Sequence, residues 1–295
     1  MRLSHIYFHR DFDGVACAAL VLRSAESGSG GSPSLESVDY GLPWTERQLS
    51  KPCAVVDFLY HPDPTFFWDH HASSFSTEQL AQHYRDRKER GDSVWCDTSH
   101  PSCASLIFST LPQLGKDPSL VELRKWADII DTASYSSVEQ VIQPSEAALK
   151  LNLALGSASE HFYNTVVEYL THSPLDSVIA NPDVGTRIEE AQKLQFQELR
   201  YFQERMNSDA GVVSADVSGR VLSHSRYAPY HFDRDALYSV VLQQGSTGLK
   251  LLCMRNPWIE FDSLHLGNLC RGFGGGGHKR VGAVAFRPRE DERAV

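Results

Sequence analysis

Short apolar runs in the amino-terminal half of the chain end three times on side chains that bind metal ions well. The first run leads into His9, the second into Asp57, and the third into the triplet Asp69-His70-His71. In an open α/β sheet the functional groups collect at the carboxyl ends of the strands, so these residues are expected to converge on one site. The pattern therefore predicts an α/β fold with an amino-terminal parallel sheet.

Six carboxylate and imidazole side chains form the candidate metal-ligand set. Such ligands suit Mn²⁺ well and tolerate Mg²⁺, Co²⁺ or Zn²⁺. Taken singly, an acidic turn or a strand-end aspartate is often only a helix cap, but their ordered recurrence favours one site. Six ligands fit two ions that lie roughly 3.5–4 Å apart and share one carboxylate. Such a pair of ions activates water and clamps a phosphoryl group, so the ligand set predicts hydrolysis of a phosphate ester or anhydride. The set is His9, Asp11, Asp13, Asp57, His70 and Asp131.

Four consecutive glycines at 274–277 and the residues after them form a second cluster. Glycine lets the backbone approach a ligand closely and turn its amides toward an anion, while His278, a lysine and an arginine add donors or positive charge. The pattern favours phosphate binding, and the alternative is a flexible turn before a strand over 281–286. Arg255 ends another strand-like segment and is a further candidate anion ligand, although a surface arginine without a special role is equally compatible.

The composition limits the substrate and the compartment. A formal net charge of −9 argues against a broad basic groove for long nucleic acid, but permits a short anionic substrate in one pocket. The six cysteines are scattered without a C-x-x-C pair, which argues against a zinc cluster and a disulfide framework. Neither a secretory signal nor an apolar run of membrane-spanning length is visible. We therefore expect a reduced, cytoplasmic protein that does not act at a membrane.

Periodicity and turn signals divide the chain into two domains. Helices are predicted over 14–24, 77–91, 102–111 and 182–206, and strands over 211–217, 220–224, 236–243 and 249–255. A glycine- and serine-rich stretch at 25–35 is expected to be a flexible connection. The predicted organisation is a catalytic metal-binding domain at 1–180, a helical linker at 181–207, a smaller α/β substrate-binding domain at 208–288 and a charged, disordered tail at 289–295.

The two clusters together resemble the motifs of the DHH phosphoesterase superfamily. The branch that the chain resembles joins a DHH catalytic domain to a DHH-associated domain with a GGGH motif, and the resemblance covers nearly the whole chain. Members of this branch include nanoRNases, phosphatases of 3'-phosphoadenosine 5'-phosphate, cyclic-dinucleotide phosphodiesterases, single-strand DNA exonucleases and exopolyphosphatase-like proteins. The matching residues are His9-x-Asp11-x-Asp13-Gly14, Asp57, Asp69-His70-His71 and Gly275-Gly276-Gly277-His278, in that order.

The resemblance implies a role for each residue of the amino-terminal cluster. The six-residue set would hold two Mn²⁺-type ions, with Asp57 bridging them. Asp69 would orient the neighbouring histidine, which is a common role for a carboxylate beside a metal site. His71 would contact the scissile phosphate or assist proton transfer. Asp128 is the alternative to Asp131 as the ligand from the fourth acidic motif.

The resemblance also implies substrate-binding residues outside the metal-ligand set. Ser102 would line an active-site cleft between the two domains. Arg255 would hold the substrate's other phosphate or its terminal nucleotide, together with Gly275, Gly276, Gly277 and His278.

We therefore expect an enzyme. The predicted function is a metal-dependent phosphodiesterase of exonuclease type that hydrolyses short single-stranded oligonucleotides or small nucleotides. Water would be activated by two divalent cations, with Mn²⁺ first and Mg²⁺ or Co²⁺ as alternatives. A phosphomonoesterase or an exopolyphosphatase-like hydrolase of small phosphorylated anions would use the same metals, and a non-catalytic nucleotide-binding regulator is a third interpretation. The long helix predicted over 182–206 is compatible with a homodimer.

Overall fold

The structure is a computed structural model that describes residues 1–26, 32–40, 44–156, 158–220, 222–245 and 248–286. It divides into two compact units. The first comprises Met1–Tyr135 and Glu146–Ile188, and the second comprises Ser136–Ser145 and Glu189–Val295. One of the three boundaries between the units, at Ile188 and Glu189, lies within the segment predicted as a helical linker, whereas Ser136–Ser145 lies within the predicted catalytic domain. The predicted tail at 289–295 lies outside the described residues.

The strands of the described residues form two sheets, one in each unit. In chain order they are β1 His5–His9, β2 Ser34–Val38, β3 Cys53–Val56, β4 Phe66–Asp69, β5 Val94–Cys96, β6 Met206–Asp209, β7 Val212–Val217, β8 Tyr238–Gly245, β9 Gly248–Arg255, β10 Gly276–Gly277 and β11 Val281–Phe286.

The sheet of the first unit has the strand order β2-β1-β3-β4-β5, and every neighbouring pair is parallel. Ile6 of β1 pairs with Leu35 on one side and Ala54 on the other, which fixes the register of the three strands. All four residues of β3 are buried, as expected for a parallel strand that is covered on both faces. This arrangement confirms the predicted α/β fold with an amino-terminal parallel sheet.

Helices pack against the strands of both sheets. The long helix predicted over 182–206 is present, and none of the described helices combines the length and apolar character that crossing a bilayer requires. In chain order the helices are α1 Phe12–Glu26, α2 Glu78–Glu89, α3 Cys103–Thr110, α4 Pro118–Asp131, α5 Val138–Ile142, α6 Ala147–Leu155, α7 Glu160–His172, α8 Leu175–Ile179, α9 Pro182–Gln203, α10 Ala228–Phe232 and α11 Leu266–Arg271, with short 3-10 helices at Trp44–Glu46 and Pro112–Lys116.

Helix α1 lies at the centre of the first unit. Its residues 15–22 are all buried and belong to the main hydrophobic core, where α1 contacts β1, α3, α4 and α7. A helix that is apolar on every side is stable only when it is enclosed in this way. Because the core fixes α1, the acidic turn at its amino-terminal end has a fixed position beside the carboxyl end of β1.

The sheet of the second unit has the order β10-β11-β9-β8-β7-β6. The β7–β8 pair is parallel and the other pairs are antiparallel, so this is a mixed sheet. Helix α11 packs on one face through Leu266 and Cys270, which meet Cys253 and Val284 in a small apolar cluster. The second unit is therefore an α/β unit with its own core.

Two of the predicted local structures differ from those observed. The prediction of a strand at 220–224 is wrong, since residues 220 and 222–224 do not form one. The amides of Ser223 and His224 donate hydrogen bonds to the Glu198 carboxylate of α9, at 3.2 and 2.9 Å, instead of to a neighbouring strand. The predicted flexible connection at 25–35 runs into β2, whose edge pairs with β1, while residues 27–31 lie outside the described part of the chain.

Candidate metal centre

The carboxyl ends of three neighbouring strands carry the candidate ligands. His9 is the last residue of β1, Asp57 follows β3 directly, and His70 follows β4. These three strands are adjacent and parallel, so their carboxyl ends meet at one edge of the sheet. The structure places all six candidate ligands and His71 in three overlapping groups whose ligand atoms lie within 4.8 Å of one another: His9-Asp11-Asp57, Asp13-His70-Asp131 and Asp57-His70-His71.

The turn between β1 and α1 places Asp11 beside His9. Asp11 Oδ1 accepts a hydrogen bond from the Gly14 amide at 2.8 Å, as a helix cap does, and Asp11 Oδ2 lies 2.7 Å from His9 Nδ1. A β-carbon on Gly14 would lie 2.3 Å from the His9 carbonyl oxygen, so only glycine lets α1 begin this close to the strand. The acidic turn therefore acts as a helix cap and still presents a carboxylate oxygen to the candidate site.

The amino terminus of α3 fixes the side chain of Asp13. Asp13 Oδ2 accepts a hydrogen bond from the Cys103 amide at 2.7 Å, and Oδ1 accepts one from the Ala104 amide at 3.0 Å. The first turn of a helix leaves such amides without an intrahelical partner, and its dipole favours a nearby negative charge. The backbone of α3 thus orients this carboxylate from a segment about 90 residues away in sequence.

The imidazole of His70 faces three carboxylates, those of Asp13, Asp57 and Asp131, with one of its nitrogens. His70 Nδ1 lies 3.2 Å from the His100 carbonyl oxygen, a contact that assigns the proton to Nδ1 when the ring is neutral. Nε2 then lies 3.3 Å from Asp131 Oδ2 and 3.9 Å from Asp13 Oδ2. A metal-ligating histidine is commonly fixed in this way by a carbonyl behind it.

Asp57 lies between the groups and directs one oxygen to each side. Oδ2 lies 3.7 Å from His9 Nδ1, while Oδ1 lies 3.8 Å from His70 Nε2 and 3.7 Å from His71 Nδ1. The residue adopts φ = 56°, a left-handed conformation that aspartate tolerates better than most residues and that is found mainly at turns and functional sites. This placement is the one that a carboxylate bridging two ions requires.

Several atoms of this cluster are buried without a hydrogen-bond partner among the described residues. They include both carboxylate oxygens of Asp57 and Nε2 of His70. Leaving a buried polar group unpaired is destabilising by roughly 1–3 kcal/mol, and by more when the group is charged. Carboxylate oxygens and a neutral imidazole nitrogen are the donors that divalent cations take in proteins. The residues present therefore fit divalent cations.

Crowding raises the pKa values of the buried carboxylates. Burial, together with the negative charges of Asp131 and Asp11, raises the pKa of Asp13 to about 8. Burial and the charges of Asp13 and Asp11 raise the pKa of Asp57 well above its usual range, and burial also raises the pKa of Asp131. Burial alone would raise the pKa of Asp11 as well, but the hydrogen bond and charge of His9 lower it. Cations bound in this cluster would oppose these upward shifts, because a nearby positive charge stabilises the ionised carboxylates.

Asp69 organises the side chains around it. This buried carboxylate accepts a hydrogen bond from the His70 amide at 2.9 Å through Oδ1, which also lies 2.8 Å from His71 Nδ1, and its Oδ2 accepts one from the Ser74 hydroxyl. The hydrogen bond to Asp69 is the largest cause that raises the pKa of His71 to about 9, so this imidazole is cationic at neutral pH. Ser74 was not among the sequence candidates, because no local pattern marks a serine that supports a carboxylate five residues earlier.

We expect Asp69→Asn to lower turnover by about 10- to 100-fold, the usual effect of losing an orienting partner beside a metal site. The pKa of His71 should fall toward its ordinary value of 6.5, because the amide carries no charge. NMR titration of the His71 ring in the metal-free protein measures this change. Asp97→Asn, which removes an exposed carboxylate, is the control and should leave the titration of His71 unchanged. An unchanged titration in Asp69→Asn would contradict the assignment.

Ser102 and Asp128 contact each other in the first unit. Ser102 caps α3, since its Oγ accepts a hydrogen bond from the Ser105 amide at 3.0 Å, and it donates to Asp128 Oδ1 at 2.6 Å. The Ser105 hydroxyl donates to the same oxygen at 2.6 Å, and Arg124 donates to Asp128 Oδ2 at 2.8 Å. The Asp128 carboxylate is therefore fully engaged within α3 and α4, which favours Asp131 as the ligand from this motif.

The glycine-rich loop lies in the second unit, where close packing requires two of its glycines. A β-carbon on Gly275 would lie 2.0 Å from a backbone oxygen of β11, and one on Gly277 would lie 2.3 Å from another. The amides of Gly275 and His278 donate hydrogen bonds within the unit at 2.9 and 2.8 Å, so they are not directed at a ligand. A β-carbon on Gly276 would meet no atom, which leaves this position open to an approaching molecule.

A cavity of about 430 Å³ lies against this loop within the second unit. Gly276, Gly277 and His278 line one part of it, and the cationic side chains of Arg226 and Lys250 line another. Sequence reasoning missed both cations, because a single arginine in a turn and a single lysine in a strand carry no local signal. Their shared position beside the loop concentrates positive charge where an anion is expected.

Arg255 is engaged elsewhere in the second unit and lies outside the residues described as lining this cavity. Its side chain is buried, and Nη2 donates to the Ile259 carbonyl oxygen at 2.9 Å. The guanidinium lies over the Phe261 ring at 4.6 Å and within 3.6 Å of Glu260. These contacts fasten the turn after β9, and they occupy part of the group that was expected to bind an anion.

Comparison with known proteins finds solved structures with a similar fold. No protein-family model and no curated protein sequence matches the chain. The pGpG-specific phosphodiesterase PggH from Vibrio cholerae is 17% identical, with a TM-score of 0.71 over 98% of this chain and 95% of that one. An exopolyphosphatase-related protein from Bacteroides fragilis is 11% identical, with a TM-score of 0.55 over 99% of this chain and 89% of that one.

A third similar structure contains a metal ion. RecJ from Thermus thermophilus, in complex with Mn²⁺, is 12% identical with a TM-score of 0.55, and the match covers 96% of this chain but 49% of RecJ. At these identities the likeness concerns the fold, and it extends over almost the whole chain. These structures show that the chain shares the fold of the three proteins, in agreement with the α/β architecture described above.

Proposed function

We propose that the protein is a metal-dependent phosphodiesterase that hydrolyses short single-stranded oligonucleotides or small nucleotides. The observation that carries this proposal is the position of Asp57. Its two oxygens are buried, have no hydrogen-bond partner in the part of the chain that the structure describes, and are directed to ligand groups on opposite sides. Two ions that share one carboxylate are typical of hydrolases that act on phosphate esters. The net charge of −9 supports a short anionic substrate rather than a long one.

The proposed metal ligands form two sets around Asp57. His9 and Asp11 would serve one ion, while Asp13, His70 and Asp131 would serve the other, and Asp57 would serve both. Divalent cations bound there would supply Lewis-acid activation of water and neutralise charge on a phosphoryl group. We propose Mn²⁺ as the preferred ion because the mixture of carboxylates and imidazoles suits it better than Mg²⁺.

His71 would act on the phosphate itself. Its Nδ1 is held by Asp69, its side chain is one-third exposed, and its pKa of about 9 keeps the ring cationic at neutral pH. A cationic imidazole in this position can donate a hydrogen bond to a phosphate oxygen, or a proton to a leaving oxygen. Asp69 is therefore a positioning residue and His71 the candidate catalytic residue.

The second unit contains a separate candidate site for an anionic ligand. Its cavity brings together the open backbone at Gly276, the imidazole of His278 and the cations Arg226 and Lys250. A concave, mostly apolar surface with a few convergent polar groups is typical of a site for a small ligand. We propose that this cavity binds a terminal phosphate or nucleotide, with His278, Arg226 and Lys250 contributing more than the loop amides.

Two similar structures support this class of reaction, since one is a phosphodiesterase specific for pGpG and another is an exonuclease bound to manganese. The test is a hydrolysis assay of the purified protein on a diribonucleotide, a cyclic dinucleotide, 3'-phosphoadenosine 5'-phosphate and polyphosphate, with and without Mn²⁺. We expect the highest kcat/KM on the diribonucleotide, and loss of activity after chelation. No hydrolysis of any diester would reject the proposal, and no hydrolysis of any of the four substrates, with Mn²⁺ bound as shown by calorimetry, would favour a nucleotide-binding regulator.

A phosphomonoesterase or exopolyphosphatase-like function is the second candidate. The likeness to an exopolyphosphatase-related protein supports it, and the same ligand set would serve it. The four substrates of the assay separate the candidates directly. Release of phosphate from 3'-phosphoadenosine 5'-phosphate or polyphosphate, with no cleavage of the dinucleotide, would favour this second function.

A further inference from the structure

An exposed tyrosine lies beside the candidate metal centre and has no role in the proposed chemistry. Tyr40 follows β2, which pairs in parallel with β1, so it leaves the sheet at the edge that carries His9. Its side chain is 54% exposed, which is unusual for a large ring so close to a polar cluster. The carboxyl end of β2 thus contributes an aromatic group where its neighbouring strands contribute ligands.

Buried aromatic rings support the Tyr40 ring from the protein side. Its centroid lies 5.1 Å from that of Phe58 and 5.2 Å from that of His9. Phe58 is buried and packs edge-on against Trp44 at 5.1 Å, so it gives the exposed ring a rigid base. A ring that is held on one side and open on the other offers a flat surface for another planar group.

We propose that Tyr40 is a base-stacking residue, which binds the nucleobase adjoining the phosphate at the metal centre. This inference rests on the proposed function and makes its substrate class more specific. Every nucleobase has a π-face, so a single tyrosine would favour nucleotides over base-free phosphates without selecting one base. The ring would also orient the scissile phosphate, because the base and the phosphate belong to one nucleotide.

The test compares a diribonucleotide with an analogue in which the nucleotide beside the scissile phosphate lacks its base. For the unaltered protein with Mn²⁺, we expect a preference for the complete substrate, expressed mainly in KM. Tyr40→Ala should reduce that preference by about 10-fold or more, the range seen when a stacking aromatic is removed. Tyr40→Phe should keep the preference, because it retains the ring and removes only the hydroxyl.

The controls separate stacking from structural damage and from failure of the proposed function. Phe196→Ala removes another exposed aromatic ring, on α9, and should leave the preference unchanged. An equal loss of kcat/KM on both substrates in Tyr40→Ala, or an unchanged preference for the complete substrate, would overturn the stacking role. If the unaltered protein cleaves neither diester, the proposed function fails instead. A 2-aminopurine base in the complete substrate gives an independent binding readout, since its fluorescence should be quenched by the unaltered protein and not by Tyr40→Ala.

Discussion

Replacing Asp57 by asparagine is expected to lower the turnover of a short oligonucleotide by about 10²- to 10³-fold or more, the effect of removing one group that stabilises transition-state charge. Asparagine keeps the shape of the side chain but removes the charge that two cations would share. The metal-free protein should become more stable, because burial and neighbouring carboxylates already hold the pKa of Asp57 well above its usual range. A gain in metal-free stability with a loss of activity is the signature of a ligand rather than of a structural carboxylate.

Thermal unfolding of Asp57→Asn with and without Mn²⁺ measures its metal-free stability and its stabilisation by the metal. A ligand that binds only the folded state at 100 times its Kd adds about 2.7 kcal/mol to stability, and this increment should be largely lost in Asp57→Asn. Asp128→Asn is the matched control, since that carboxylate is engaged by Ser102, Ser105 and Arg124. We expect the control to keep the stabilisation by Mn²⁺. Full stabilisation of Asp57→Asn by Mn²⁺ would contradict the bridging assignment.

The convergence of the strand ends could be predicted because it depends on short-range patterns. Each of β1, β3 and β4 is a short apolar run followed by ligand-type side chains, and parallel strands bring such ends to one edge. The position of Asp131 could not be predicted in the same way. Asp131 ends α4 and reaches His70 only through the packing of that helix on α1 and α3, which no local pattern encodes. For the same reason the choice between Asp128 and Asp131 stayed open until the contacts were known.

The candidate anion-binding residues of the second unit were harder to predict, because their positions depend on tertiary contacts. The glycines at 275 and 277 suggested a cradle for an anion, but the structure uses both for close approach to β11. Arg255 suggested an exposed cation, but its guanidinium fastens the turn after β9. The cations that do line the cavity, Arg226 and Lys250, come from separate elements. Composition and motif order can suggest a candidate anion site in this unit, but only packing identifies the side chains that line the cavity.

Metal binding is expected to release protons and to strengthen as the pH rises toward 8. Burial and the charges of Asp131 and Asp11 raise the pKa of Asp13 from 3.8 to about 8, so the folded, metal-free protein holds a proton that a ligating carboxylate must lose. Below that pKa, each unit by which the pH falls should weaken the apparent Mn²⁺ affinity by about tenfold for each proton released on binding.

The same shift predicts the pH dependence of stability for the metal-free protein. Between pH 3.8 and about 8 the unfolded state has lost the Asp13 proton while the folded state keeps it, so this group lowers stability as the pH rises and has no further effect above 8. Bound cations reverse this trend, because they favour the ionised carboxylate. Calorimetric titration with Mn²⁺ at pH 6 and pH 8, in buffers of different ionisation enthalpy, measures the released protons. Asp13→Asn should release fewer protons, and equal affinity at both pH values with no proton release would contradict a protonated Asp13 in the metal-free site.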